Sequence, residues 1–271
     1  MNFLTFKYFY IIAKIKQILQ NTSYLCAMKE PNSVKFIRYK SLPSTNQKLY
    51  QLAEQGAEAF TVVWCDAQTH GKGYAGNQWL SSDNQNLTFS FLLKNLDLKD
   101  QAYLNRWVAN CLHQFLTDWQ FPVKVKWPND LILNRKKLGG ILIENRIKHD
   151  KIDFSVIGIG LNVFQRDFGV LKATSLACFN AGFNEDLAQL LEQIMAVFSQ
   201  NYHLILDKKF DEINGYYLKS LFVKDQVATY EHNGILQNGI LRSITPDGKA
   251  LIELENKPIQ AFAHKEIRLL Y

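Results

Sequence analysis

Lys124-Val125-Lys126-Trp127-Pro128-Asn129-Asp130-Leu131-Ile132-Leu133-Asn134-Arg135-Lys136-Lys137-Leu138-Gly139-Gly140-Ile141-Leu142-Ile143-Glu144 is the stretch on which the fold turns. Lys124 to Trp127 reads as a strand, which Pro128 ends because proline has no N–H for a ladder. Leu131–Leu133 and Leu138–Ile143 then bracket Asn134-Arg135-Lys136-Lys137, a hairpin with a polar tip. Side chains alternate along a strand, so Lys137 faces away from Leu138, which has the residue type for the core. Trp127-Pro128-Asn129-Asp130 sets a polar pair beside an aromatic wall. The hairpin returns Lys137 just ahead of Gly139 and Gly140, where backbone can approach a ligand closely. An ammonium and a carboxylate on neighbouring strands suit a polyphosphate with magnesium, the one neutralising oxygens and the other holding the ion or accepting a proton. From these residues alone, a solvated ion pair on an exposed hairpin is an equal reading.

Upstream, Val34–Tyr39 has strand character, and Ser44-Thr45-Asn46 supplies capping side chains before Leu49, Leu52 and Ala53 at helical spacing. Phe60–Cys65 and Leu87–Leu93 are short apolar runs that predict buried strands. Leu104, Trp107, Val108, Cys111, Leu112, Phe115 and Leu116 form the core stripe of a long helix. Downstream, Phe154–Asn162 reads as a strand broken by Gly158 and Gly160, and Leu187, Leu190, Leu191, Ile194 and Val197 mark a second long helix. Beyond about residue 220, short strands are divided by the turn signals Asn233-Gly234 and Pro246-Asp247-Gly248, which suggests a small barrel of SH3-like size. The fold class expected is α+β: a mixed sheet flanked by helices over 33–219, then the β-barrel over 220–271.

Between the two buried strands lies Gly71-Lys72-Gly73-Tyr74-Ala75-Gly76, which matches GxGxxG. A dinucleotide site needs a helix to start at that loop, yet Asn77 to Asn84 has no helical periodicity and is full of turn formers. No GxxxxGK[ST] occurs either, so both standard phosphate loops are rejected. What remains is a loop rich in backbone N–H groups that can close over an anion, or a plain strand connection whose glycines serve turn geometry.

The chain has 271 residues with 47% hydrophobic and 21% charged residues, enough apolar mass for a sizeable core. Of its net +6, four lysines (Lys7, Lys14, Lys16, Lys29) fall in residues 1–29 without an acid, which leaves about +2 for the rest. A balanced body gives no reason to expect a nucleic-acid-binding face. Leu4, Tyr8, Ile11, Ile15 and Ile18 recur at helical spacing with Lys7 and Lys14 on the other side, but residues 1–32 are expected to be a loosely attached extension rather than a signal peptide or a basic amphipathic helix for a membrane surface. Four scattered cysteines (Cys26, Cys65, Cys111, Cys178) exclude a disulfide scaffold and fit a reducing cytoplasm.

Five motifs stand in one order: Ser44-Thr45-Asn46; Gln68 ahead of Gly71 to Trp79; Lys126 to Asp130; Lys137 to Glu144; and Gly158-Ile159-Gly160-Leu161-Asn162. That order and spacing resemble the biotin protein ligases, over residues 34–271. The resemblance implies ATP-dependent ligation: biotin and MgATP give biotinyl-5′-AMP, and biotin then passes to one lysine of a biotin carboxyl-carrier domain, as in acetyl-CoA carboxylase. It implies that Ser44, Thr45, Asn46 and Gln68 border the ureido ring, with Lys72, Gly73, Tyr74, Trp79, Lys137 and Gly140 completing the biotin site. Gly71, Lys72, Gly73, Tyr74, Asn77, Asn129, Lys137 and Asn162 would meet the nucleotide. Lys137, Lys72 and Asp130 would be catalytic, and Asp130 the metal-side carboxylate. Many members carry arginines in the glycine loop, whereas this chain has Lys72, Tyr74 and Ala75 at the variable positions; a lysine keeps a charge but not the bidentate fork. The thirty residues before the first strand are too few for the winged helix-turn-helix of repressor relatives, so neither DNA nor membrane is an expected partner, and the protein is expected to be a monomer or homodimer. Two other readings are lipoate attachment, which would need a long apolar acyl tunnel, and a non-catalytic biotin sensor.

Overall fold

The computed structural model describes residues 33–73 and 76–271; the amphipathic pattern of residues 1–32, and Tyr74 with Ala75, lie outside the described residues. Strand β1 (Lys35–Leu42) pairs parallel with β2 (Thr61–Gln68), and helix α1 (Thr45–Glu54) makes the crossover that parallel pairing requires. Ser44 caps α1, its hydroxyl accepting from Gln47 N at 3.4 Å. Strands β3 (Asn86–Asp97), β4 (Lys124–Lys126), β5 (Asp130–Leu133), β6 (Lys136–Lys148) and β7 (Lys151–Asn162) pair antiparallel, giving a seven-stranded mixed sheet in the order β1-β2-β3-β7-β6-β5-β4.

One face of this sheet is the main core. Leu87, Phe89 and Phe91 of β3 lie opposite Leu161, Ile159 and Ile157 of β7, and helices α2 (Gln101–Asp118) and α4 (Leu187–Leu206) pack over them. All seven residues of the stripe from Leu104 to Leu116 are buried. Phe91 meets Phe198 at 4.7 Å between ring centroids and is fully buried, so Phe91→Ala is expected to destabilise the fold by about 3–5 kcal/mol in chemical denaturation.

Two expectations change, and one helix carries no sequence signal. The hairpin tip is only Asn134-Arg135, both at positive φ (49° and 57°) as a two-residue turn of mirror-image type requires, so Lys136 and Lys137 already belong to β6. Strand β7 runs unbroken through Gly158 and Gly160, because both are paired on both sides, to Ser90 and Thr88 of β3 and to Leu142 and Gly140 of β6. Helix α5 (Phe210–Ser220), after the short α3 (Leu176–Phe179), was hidden by Asn214 and Gly215, poor helix formers; burial of Ile213 and Tyr217 overrides them.

A five-stranded antiparallel sheet follows, β8 (Val227–His232), β9 (Ile235–Ile244), β10 (Ala250–Leu254), β11 (Ile259–Phe262) and β12 (Ile267–Leu270), in the order β11-β10-β9-β8-β12. Its size and topology are SH3-like. Tyr230, Leu241, Ile252, Leu254, Phe262 and Ile267 fill its interior. Asn233 and Gly234, both at positive φ, make the β8–β9 turn.

Candidate active site

The second face of the large sheet is covered only in part. Leu49 and Ala53 of α1 pack on Val63, Cys65, Leu92, Phe154 and Val156. Beyond α1 the register sets Thr88, Gly160, Gly140, Asp130 and Lys126 in one row across five strands, with Ser90, Gly158 and Leu142 in the next. Paired residues share a face, so glycines stand where side chains would otherwise fill the space. A cavity of about 490 Å³ lies over this bare floor.

Two of these glycines admit close neighbours. A Cβ on Gly158 would sit 2.1 Å from Asn46 Oδ1, and one on Gly160 would sit 2.3 Å from the Trp79 ring. The floor is therefore shaped to receive an amide at one end and an indole at the other.

The amide end is a hydrogen-bonded wall. Thr45 N donates to Gln68 Oε1 at 2.8 Å, and Ser90 Oγ lies 2.7 Å from Thr45 Oγ1 while donating to Asn46 Oδ1 at 2.6 Å. Asn46 Nδ2 donates to Glu144 Oε2 at 2.7 Å. Both ends of the Asn46 amide are thus fixed, with Ser90 and Glu144 holding them. Neither was assigned a role from sequence; the signal for Ser90 was a hydroxyl in register with Thr88, on the opposite face from Phe89 and Phe91.

The loop end closes on itself. Gly73 N donates to Asn77 O at 2.7 Å, Trp79 N donates to Gly71 O at 2.9 Å, and Lys72 bridges Gln78, so the loop is a narrow excursion with no helix behind it. Lys72, Gly73, Asn77 and Trp79 line the cavity; Gly71 sits buried at the loop's base, outside that lining. Trp79 Nε1 is buried without a hydrogen-bond partner, a donor aimed at nothing within the protein.

The charged end is the hairpin. Lys137 Nζ lies 2.6 Å from Asp130 Oδ1 and 5.9 Å from the Trp79 ring centroid, which brings the hairpin amine and the end of the glycine loop to one place. Lys126 Nζ is 3.8 Å from Asp130 Oδ2. Burial lowers the Lys126 pKa, Asp130 opposes that, and Lys137 and Arg268 add repulsion. Asn129 donates to Ile141 O at 2.7 Å, tying Asp130 to β6. Asn162 is not in the cavity lining: its amide donates to Thr174 O at 3.0 Å and Lys137 O at 3.5 Å, bracing the strand that carries Lys137. Leu138 is fully buried, on the face opposite Lys137.

The small barrel supplies the remaining wall with His264, Lys265 and Arg268, none of which sequence motifs singled out. Among the described residues no group of three or more His, Cys, Asp or Glu could hold a metal ion. Asp130 is the carboxylate of the lining, and its two oxygens already face two ammonium groups, which does not fit a resident magnesium. The arrangement can seat a small polar ring at the amide wall and a phosphate chain among Lys72, Lys126, Lys137 and Arg268.

Residues 39–162 match the profile of the biotin/lipoate A/B protein ligase family. The bifunctional ligase/repressor BirA of Bacillus subtilis is 33% identical over 173 residues, 61% of this chain and 53% of the relative. The chain thus spans about half the length of that relative. The biotin--[acetyl-CoA-carboxylase] ligase of Mycobacterium tuberculosis is 27% identical over 243 residues, 83% of this chain and 86% of the relative. The biotin protein ligase from Aquifex aeolicus in complex with biotin and ATP superposes with a TM-score of 0.71 at 26% identity, covering 87% of this chain and 98% of that one.

Proposed function

We propose that this chain, whose residues 39–162 match the biotin/lipoate A/B protein ligase family, is a member that joins biotin to a lysine of a biotin carboxyl-carrier domain by way of biotinyl-5′-AMP. The observation that carries the reading is the meeting of Lys137, Asp130 and the Trp79 end of the glycine loop over one glycine-floored cavity whose far wall is polar. The relative with 86% coverage is named for ligation to acetyl-CoA carboxylase, and the Aquifex structure holds biotin and ATP.

A carboxylate does not acylate an amine at neutral pH, because oxide would have to leave. Attack of a biotin carboxylate oxygen on the α-phosphorus of ATP forms an O–P bond, breaks the bond to the bridging oxygen and releases pyrophosphate. Charge on the equatorial oxygens grows, and Lys137 with Lys72 neutralises it; magnesium arrives with the nucleotide as part of the substrate. The acceptor lysine, as a neutral amine, then attacks the carbonyl carbon and AMP leaves. Asp130 would steer or deprotonate that amine. Meanwhile Lys72, Gly73 and Tyr74 would cover the anhydride, which water would otherwise destroy. Asn129 and Asn77 would flank the nucleotide phosphates, while Gly71 and Asn162 serve as braces for the loop and the Lys137 strand.

The catalytic work falls to residues 33–219, and the barrel of residues 220–271 completes the cavity. Among the described residues no helix is long and apolar enough to cross a membrane, and Cys65, Cys111 and Cys178 are free thiols, in keeping with action in the cytoplasm. The polar wall around Asn46 favours a ureido ring over the acyl chain of lipoate. The test is incubation of the full chain with MgATP, a carrier domain and biotin or lipoate. A carrier mass gain of one biotin minus water, with pyrophosphate released, is expected. A gain from lipoate alone, or biotin binding without pyrophosphate, would sink the reading.

A further inference from the structure

Arg106 interrupts the apolar stripe of α2 and is 2% exposed, an arrangement that proteins seldom keep without a use for the charge. Burial pulls its pKa down. Its hydrogen bonds go to neutral oxygens: Nη1 donates to Asn214 Oδ1 at 3.0 Å, and Nη2 donates to the carbonyls of Thr245 and Pro246, the latter at 3.3 Å. The guanidinium also lies over the Tyr103 ring at 4.8 Å. Two of its oxygens therefore come from the barrel, from the turn between β9 and β10.

That turn is built to be held. Gly248 N donates to Thr245 O at 2.9 Å, Gly248 takes φ +96°, and a Cβ there would stand 3.4 Å from Ala102 of α2. Gly248 O accepts from Trp127 Nε1 at 2.9 Å. Trp127 opens the segment Trp127-Pro128-Asn129-Asp130, and Pro128 O is held by Asn105 Nδ2 at 2.8 Å and Tyr217 hydroxyl at 3.0 Å. Asp130 then meets Lys137 at 2.6 Å. Part-buried hydrogen bonds and the short backbone segment 127–130 thus join the barrel turn to the charged pair of the cavity, with Arg106 and Trp127 as two donors that grip one turn.

We propose that Arg106 is a positioning residue: by gripping the 245–248 turn it fixes, through Trp127, where Asp130 and Lys137 stand for reaction. The proposal rests on the ligase reading for its kinetic consequence and on geometry for the coupling. Arg106 is not among the residues that line the cavity, and the amide wall that would hold biotin stands on α1, β2 and β3.

The test uses Arg106→Met, Arg106→Lys and Gly248→Ala in the full chain. In biotin-dependent ATP–pyrophosphate exchange, Arg106→Met is expected to lower kcat about 10- to 100-fold, the effect of displacing a reacting group by roughly 1 Å. KM for biotin should stay within about twofold, since uniform binding is untouched. Arg106→Lys should recover part of kcat, having charge without the fork. Gly248→Ala keeps the arginine but strains the turn, so it should show the same kcat loss and decides the matter if Arg106→Met does not fold. Labelling of Lys137 by an amine-reactive reagent, read by peptide mass, should quicken in the variants as the pair with Asp130 loosens. Lower melting temperatures with wild-type kcat and wild-type labelling would overturn the proposal. Quicker labelling in variants of a wild-type chain that shows no exchange would uphold the coupling and overturn the ligase reading instead.

Discussion

Lys137→Ala forms biotinyl-AMP about 10²- to 10³-fold more slowly than the native chain, the usual loss when one transition-state charge contact is removed. The expectation follows from position. Lys137 reaches the cavity from β6, and Gly140 leaves room beside its terminal carbon and nitrogen, 3.3 Å from where a Cβ would stand. Its side chain is 37% exposed, so alanine leaves neither a large void nor a stranded buried charge, and folding should survive. Asp130 keeps Lys126 as a neighbour at 3.8 Å, too long to replace the 2.6 Å contact. Biotin affinity measured without ATP should change far less than the rate, because the amide wall does not involve Lys137. Single-turnover formation of biotinyl-AMP at the native rate would remove Lys137 from the reaction.

Much of this site was legible because its residues carry local signals. A proline ending a strand, a polar tip between apolar runs and two glycines after a lysine identify the hairpin from a few neighbours. The α2 stripe was legible for the same reason, since 3.6-residue periodicity is a property of the helix itself. What escaped depends on register between strands distant in sequence. Gly158 and Gly160 look like strand breakers in isolation; only pairing with Thr88, Ser90, Gly140 and Leu142 makes them a floor. Glu144 was quoted as the end of a motif but acquires its use from Asn46, 98 residues away. Arg106 carries no local signal of its use, because its partners lie 139 and 140 residues downstream. Helix α5 failed for the converse reason, its propensity being poor and its stability coming from tertiary burial.

Gly158→Ala should cost biotin affinity while sparing the fold. Gly158 has no positive φ, so alanine meets no backbone strain, and a methyl in a strand is if anything mildly stabilising. The methyl would nevertheless occupy the place of Asn46 Oδ1, at 2.1 Å. Asn46 must then swing away and lose two bonds, from Ser90 at 2.6 Å and to Glu144 at 2.7 Å. Ser90 is fully buried but keeps Thr45 Oγ1 at 2.7 Å, so the fold survives; what is lost is the fixed Asn46 amide, whose hydrogen bonding to a bound polar ring is worth about 1–3 kcal/mol. Losing that contact corresponds to about 5- to 100-fold in affinity, at about 1.4 kcal/mol per factor of ten. Calorimetric titration with biotin in the absence of ATP measures this directly. A double variant sharpens it: Asn46→Ala removes the clash along with the amide. If Asn46 forms the binding wall, Gly158→Ala on that background should add almost nothing, a strongly non-additive pair. Full additivity, or unchanged affinity in Gly158→Ala alone, would show that the ureido ring sits elsewhere in the cavity.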